Sequence, residues 1–511
     1  MAMPFCFYPR LEQSCPNVSH CPHLGGAAIG TVVRLANETQ ESREYLHRTI
    51  DAERQTISQL LEENERLQKE LDQVKRELKL ERQNKFATNE QKRADKADAA
   101  EPESARPQSK KKRGAPVGHP GWYRKTPTEY DWAVDVLPPM RCPYCQGHVM
   151  ADDKFDPSEH LQEDVIDGRY RVVLYRHPAA CCEDCGAWLQ QPGRGELLGS
   201  RLGPHLRSKV VYLRNVIGIS YRKIPQAIQE LFGITFTPAA LIGFEKILAT
   251  LAKPVIDDIA KKLASSDGAV HADETYSILN GKRAYFWVHG TTRYIHFTFG
   301  TTRSGQVSRN VLGDHFTGTL VTDCYSGDIA HVAGAKQKCL VHLARTARDW
   351  QKLTDAGSAD FAFFDAVKEF VKRGCEFHRL RSKGTLDVTQ FAAEKTWLRE
   401  ELVRLETWVV THGKAQTLQT RIVNYHGEWL VFVDDAQVPP TNNLAEQALR
   451  PLVVLRKITF GHRSLKGGER MAALMSVAET ARRHGHRASQ IFLALMSDRP
   501  SNVLRQLYAV A

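Results

Sequence analysis

Three acids stand in settings that ask for an explanation. Asp273 lies in the apolar stretch GAVHADETYSIL, Asp323 closes the apolar run GTLVT, and Glu446 follows a Pro-Pro pair in TNNLAEQALRP. An ionised carboxylate on a buried strand is costly unless it is paired or holds a cation. If Val270 and Ala272 face one side of a strand, alternation turns Asp273 to the other side with Thr275 and points Glu274 away. Asp323 also fits a turn or cap aspartate at a strand end. Glu446 also fits a helix start, with Asn443 capping and the acid in the positive first turn. Carboxylates that converge can hold two divalent ions, which activate a nucleophile and stabilise the leaving oxygen of a phosphodiester.

Four thiols suggest a second kind of site. RCPYCQGH supplies Cys142 and Cys145, and CCEDCG supplies Cys182 and Cys185. Two Cys-x-x-Cys knuckles, each trailed by Gly, place thiolates where backbone N–H groups can support a tetrahedral Zn²⁺. Redox activity is the alternative reading, and Cys181 leaves the second pair ambiguous by one position. Eleven cysteines in 511 residues, several in such pairs, favour metal ligation in a reducing compartment over a disulfide framework.

The elements that must position these groups can be read around them. GAVHADETYSIL, KRAYFWVHGTT and RYIHFTFGTT read as three antiparallel strands, SRNVLGDHF as a helix, GTLVTDCYSG as a fourth strand and KQKCLVHL as a fifth. That order is the order of an RNase H-like core. Residues 343 to 430 are helix-rich and charged, the pattern of an insertion, after which the strand-like WLVFVDD and the helix bearing Glu446 resume the core. Upstream, SYRKIPQAIQELFGITFTPAALIGF has apolar Ile224, Ile228 and Leu231, then Gly233, then Thr237-Pro238 opening another helix, the outline of a helix-turn-helix.

Further upstream, Ile50, Ile57, Asn64, Leu71 and Leu78 recur every seven residues, with Leu46, Leu60, Leu67 and Val74 forming a second series that Glu53 interrupts. This is a coiled coil, and a single polar Asn64 in the seam fixes register in a dimer. Between it and the cysteines, QSKKKRGAPVGHPGW reads as a solvated basic linker suited to a phosphate backbone. Seventy Lys and Arg against 59 Asp and Glu give a net charge of +11, which suits a polyanionic partner. No apolar run is long enough for a membrane span and no secretory signal opens the chain, so the cytosol is the expected compartment.

HADET at 271 to 275, LVTDCYSG at 320 to 327, CLVH at 339 to 342, TNNLAEQALRPLVVLRK at 441 to 457 and GGERMAALMSVAETARRHG at 467 to 485 together resemble a DDE transposase of the IS66 family. The resemblance implies an enzyme that binds the terminal inverted repeats of an insertion element, hydrolyses phosphodiesters at its ends and joins the freed 3′-hydroxyls to target DNA. It implies that Asp273, Asp323 and Glu446 are the catalytic triad and bind two Mg²⁺ ions, and that Cys339 and His342 pack the active-site strand against the insertion. Arg450, one helical turn after Glu446, and Arg456, Lys457, Arg463 and Lys466 beyond it are then expected to contact DNA. A homodimer or higher oligomer and accessory proteins of the same element are the expected partners, with no membrane.

The expected chain is a multidomain α/β protein. It comprises a Cys/His-containing N-terminal segment (1 to 42), a dimerising coiled coil (43 to 85), a basic linker (86 to 120), a zinc-binding domain (121 to 195) and a helical, helix-turn-helix-like DNA-binding region (196 to 264). The RNase H-like catalytic core follows in two parts (265 to 342 and 431 to 486) around the helical insertion (343 to 430), with a helical tail (487 to 511). Two other functions compete: a zinc-containing dimeric DNA-binding regulator without catalysis, and an RNase H-like nuclease that only hydrolyses.

Overall fold

The computed structural model describes residues 124–152, 154–324 and 332–509, together with isolated helical positions between Gln55 and Gln73. The N-terminal Cys/His segment, Asn64 and the run Lys110 to Arg113 lie outside the described residues. The chain divides into two units, Met1–Gly114 and Ala115–Ala511. In the first, the described positions Gln55, Ser58, Gln59, Glu62, Glu63, Arg66 and Gln73 are helical and exposed.

The second unit opens with small sheets. β1 (Trp132–Asp135), β3 (Ser158–Ile166) and β4 (Arg169–His177) form one sheet, and β2 (Val149–Ala151) pairs with β5 (Ala180–Cys182) in another. The β3–β4 hairpin turns through Asp167 and Gly168, both at positive φ, as a two-residue hairpin turn requires.

Helices α1 (Pro204–Asn215), α2 (Lys223–Phe232) and α3 (Pro238–Ala264) follow. Helix α2 ends at Gly233 in the left-handed region, and Thr237 caps α3 by accepting from the Ala240 N–H, with Pro238 in the first turn. The sequence outline of this helix pair is therefore met, except that Leu231 is exposed while Ile224 and Ile228 are buried. Leu241, Phe244, Leu248, Ala252, Val255, Ile259 and Leu263 recur at three- and four-residue spacing and bury one face of α3. That face joins Val270, Ala272, Phe316 and Leu320 in the main core.

The main sheet has the order β10-β9-β6-β7-β8. β6 (Ala269–Leu279), β7 (Lys282–Gly290) and β8 (Ile295–Gly300) form an antiparallel meander; after α4 (Gln306–Leu312), β9 (His315–Thr322) lies parallel to β6 and β10 (Val332–Lys338) parallel to β9. The fifth strand thus ends earlier than KQKCLVHL suggests. Cys339 is already the cap of α5 (Leu340–Gln351) because Leu340, Leu343 and Ala347 bury at helical spacing.

Next come α6 (Ala359–Ser382), α7 (Val388–Glu406) and α8 (Gly413–Asn424), which enclose an aromatic core of their own with Phe363, Phe364, Phe370 and Phe377. The strand expected in WLVFVDD does not form. A short helix α9 (Val431–Asp434) carries Phe432 and Val433, and these two with Trp429 just before it, at positions i, i+3 and i+4, are buried in that core.

Helix α10 (Asn443–Thr459) packs on β6 and β7, and α11 (Leu465–Arg483) on β8. The Ser476 and Thr480 hydroxyls accept from the N–H groups of Phe297 and Ile295 on the outer side of β8. Gly468 of α11 lies against the Phe299 ring, where a Cβ would fall 2.1 Å from it. Helices α12 (Ala488–Ser497) and α13 (Pro500–Tyr508) close the main core, as the helical reading of the tail expects.

Candidate active site

The register of the sheet brings the first two acids together. Ala269, Val270 and His271 on β6 stand opposite Thr319, Leu320 and Val321 on β9. Continuing that offset sets Asp323, the residue after β9, level with Asp273. Residues paired across parallel strands share a face, and strands lie about 4.8 Å apart. Val270 and Leu320 point into the main core, so Asp273 and Asp323 belong to the opposite face. Burial raises the Asp273 carboxyl to about 8, reinforced by the negative charges of Asp323, Glu274 and Glu446. Glu274 turns away as alternation requires and accepts from Arg303 Nε at 2.6 Å.

Glu446 reaches the same place from α10. The helix is capped by Asn442, not by Asn443, which is exposed, and the Asn442 side chain does not cap at all. It is fully buried and fastens α10 to β6. Its Nδ2 donates to the Ala272 carbonyl at 2.8 Å, its Oδ1 accepts from His271 Nδ1 at 2.9 Å, and its own N–H donates to Cys339 Sγ at 3.2 Å. One residue thus joins the strand before Asp273, the cap of α5 and the helix of Glu446. Burial lowers His271 to about 4, so the ring is neutral near pH 7.

Cys339 and His342 meet Glu446. His342 Nε2 lies 3.5 Å from Glu446 Oε1, and one ligand atom from each of Cys339, His342 and Glu446 falls within 4.8 Å of the others. Glu446 Oε1 and His342 Nδ1 are buried without a hydrogen-bond partner. On the far side of Asp323, buried Lys338 donates to Thr322 Oγ1 at 2.9 Å and lies 3.6 Å from Glu428, tying the end of β9 to the insertion.

The expected DNA contacts divide. Arg450, Lys457, Arg463 and Lys466 are exposed. Arg456 is committed inward: it donates to Thr275 Oγ1 and the Tyr276 carbonyl and stacks 3.7 Å over the Tyr276 ring. Its proximity to β6 was invisible in sequence. An open cleft of about 830 Å³ runs beside His271 and Thr441, lined also by Lys262, Arg293 and His378 and, among the described residues, by no carboxylate.

The four expected cysteines converge separately. Cys142 Sγ is 3.6 Å from Cys185 Sγ and Cys145 Sγ is 3.4 Å from Cys182 Sγ. Each knuckle closes alike: the N–H groups of Gln146 and Gly186 donate to the carbonyls of Cys142 and Cys182, with Gln146 and Gly186 both at positive φ. Cys182 therefore belongs to the cluster and Cys181 does not. The four thiols fit a tetrahedral zinc.

Sequence reasoning missed Asn442, His271, Lys338 and Arg303. The doubled Asn in TNN and the His two positions before Asp273 were the only signals, and neither names its partner.

A mixed α/β protein with clustered acids on its main sheet and a four-cysteine zinc-type cluster is the class defined by these features. A model of the transposase IS66 family matches residues 199–470. The chain belongs to that family of DNA-cutting and DNA-joining enzymes. It is also similar to the uncharacterized protein y4hP of Sinorhizobium fredii, with 23% identity over 410 residues, covering 70% of this chain and 72% of that protein. No helix among the described residues is long and apolar enough to cross a membrane.

Proposed function

We propose that this transposase cuts the ends of its element and joins the freed 3′-hydroxyls to target DNA through Asp273, Asp323 and Glu446 as a DDE triad on an RNase H-like core. The observation that carries this reading is the β6–β9 register, which continued by two residues sets Asp323 level with Asp273; burial and the charges of Asp323, Glu274 and Glu446 raise the Asp273 carboxyl accordingly. Acids held this close repel unless a cation is shared among them. The strand order and the parallel β6–β9 pairing suit the RNase H-like assignment. Asp273, Asp323 and Glu446 would hold two Mg²⁺, whose charge activates the attacking oxygen and stabilises the leaving one.

The protein's own groups have three tasks. Asn442 holds Glu446 against the Asp273 strand, Lys338 anchors the strand end that presents Asp323, and the cationic cleft lined by Lys262 and Arg293 receives a phosphate backbone. Exposed Arg450, Lys457, Arg463 and Lys466 supply further phosphate contacts, and the α2–α3 pair contributes to binding of the terminal repeats. The four cysteines hold a structural Zn²⁺, and the coiled coil supplies a dimer, with accessory proteins of the element as further partners.

The test is Mg²⁺-dependent cleavage of DNA carrying the element's ends by the wild type and by Glu446→Gln. Loss of cleavage in the variant is expected; equal cleavage overturns the triad. Strand transfer from a pre-cleaved end then separates a transposase from a nuclease that only hydrolyses, since the latter yields no joined product.

A further inference from the structure

Cys339, His342 and Glu446 carry more chemistry than packing needs. A thiol, an imidazole and a carboxylate converge with ligand atoms within 4.8 Å of one another. In a tetrahedral zinc site, bonds of about 2.0–2.3 Å put neighbouring ligand atoms roughly 3.3–3.8 Å apart. The His342 Nε2 to Glu446 Oε1 separation of 3.5 Å is already in that range.

Two further observations point to a missing partner. Glu446 Oε1 is buried with no hydrogen bond, although an unsatisfied carboxylate oxygen is expensive. Cys339 Sγ sits at the start of α5 and accepts from the Asn442 N–H at 3.2 Å, while burial pushes the free thiol up, a cost that a bound cation would offset. A backbone N–H donated to the sulfur also supports a thiolate in a metal knuckle. Magnesium prefers oxygen ligands and does not suit this set, whereas a zinc-like ion takes Cys, His and carboxylate together and leaves a fourth position open.

We propose that Cys339, His342 and Glu446 form a site for a thiophilic divalent cation of the zinc class, separate from the four-cysteine cluster. Occupancy draws Glu446 away from Asp273 and Asp323, so such an ion inhibits the Mg²⁺ reaction. The inhibition rests on the triad proposed above; the binding site does not.

The probe is Co²⁺, whose thiolate complexes absorb visibly, titrated into the full-length protein carrying one equivalent of Zn²⁺, which the four-cysteine cluster takes first. A new cobalt–thiolate absorption is expected in the wild type and in Cys375→Ser, which removes a free cysteine of α6 outside the site. It should vanish in Cys339→Ser and weaken by at least roughly tenfold in affinity in His342→Gln. Persistence of the absorption in Cys339→Ser, in protein with wild-type thermal unfolding, overturns the site; if that variant misfolds, unchanged Co²⁺ affinity in His342→Gln overturns it. Added Zn²⁺ should inhibit Mg²⁺-dependent cleavage by the wild type and at least roughly tenfold more weakly by Cys339→Ser. Equal inhibition of the two overturns the coupling. Absence of Mg²⁺-dependent cleavage in every protein counts against the triad instead, and the cobalt absorption still decides the site.

Discussion

Asn442 and Ala272, 170 positions apart in the chain, are joined by a hydrogen bond of 2.8 Å from the side-chain amide to the strand carbonyl. This bond, with the His271 and Cys339 contacts of the same residue, determines where α10 meets β6. Replacing Asn442 by Ala leaves buried polar groups unpaired, which costs about 1–3 kcal/mol. Thermal unfolding should show that loss, and cleavage should fall further than the melting shift explains, because Glu446 is no longer held in place. Cleavage at the wild-type rate would separate the clamp from the chemistry.

Asp273 gives a pH dependence with a defined sign. Unfolded, it loses its proton near pH 4; folded and metal-free, it keeps the proton up to about pH 8. Between those values unfolding releases a proton, so stability falls as pH rises from about 4 to about 8, by at most about 1.4 kcal/mol per pH unit from this group. A bound cation competes with that proton. Mg²⁺ should therefore raise the melting temperature more at pH 8 than at pH 6, and Asp273→Asn should remove the difference.

Much of this arrangement was legible before any coordinates. Asp273 announced itself by polarity in an apolar strand, and the order of three strands, helix and strand emerged from alternation and turn residues. The failures share a physical cause. WLVFVDD and KQKCLVHL contain short apolar runs that suit a strand or a helix equally. Tertiary burial decided: Trp429, Phe432 and Val433 on one side, Leu340, Leu343 and Ala347 on the other, each at helical spacing. Asn443 looked like the cap because local rules see only neighbours along the chain, whereas the true cap, Asn442, spends its side chain on a strand 170 residues earlier.

The basic residues after Glu446 should behave differently from one another. Arg456→Ala removes the Thr275 and Tyr276 contacts and a cation–π stack, and should lower stability by about 1 kcal/mol. Lys457→Ala, Arg463→Ala and Lys466→Ala should leave the melting temperature unchanged and weaken DNA binding, each reducing the salt slope by about one. Arg293→Glu in the cleft should weaken binding without a melting shift. A drop in DNA affinity for Arg456→Ala alone would reverse this division.

Among the cysteines the structure singles out four. Cys145→Ser and Cys182→Ser should each lower zinc content and loosen residues 132–190 in hydrogen exchange, while Cys181→Ser should keep its zinc. Equal zinc loss in Cys181→Ser would mean that the second knuckle begins one residue earlier. Chelation of the wild type should reproduce the Cys182→Ser exchange pattern.

The hydroxyls of Ser476 and Thr480 on the outer side of β8 have a consequence for assembly. Exposed strand margins invite other chains to add on by backbone pairing, and with it aggregation. Here the outward N–H groups of Ile295 and Phe297 are already taken by α11. At Ile295 and Phe297 that margin is sealed against an incoming strand, so a second chain cannot extend the sheet by backbone pairing there.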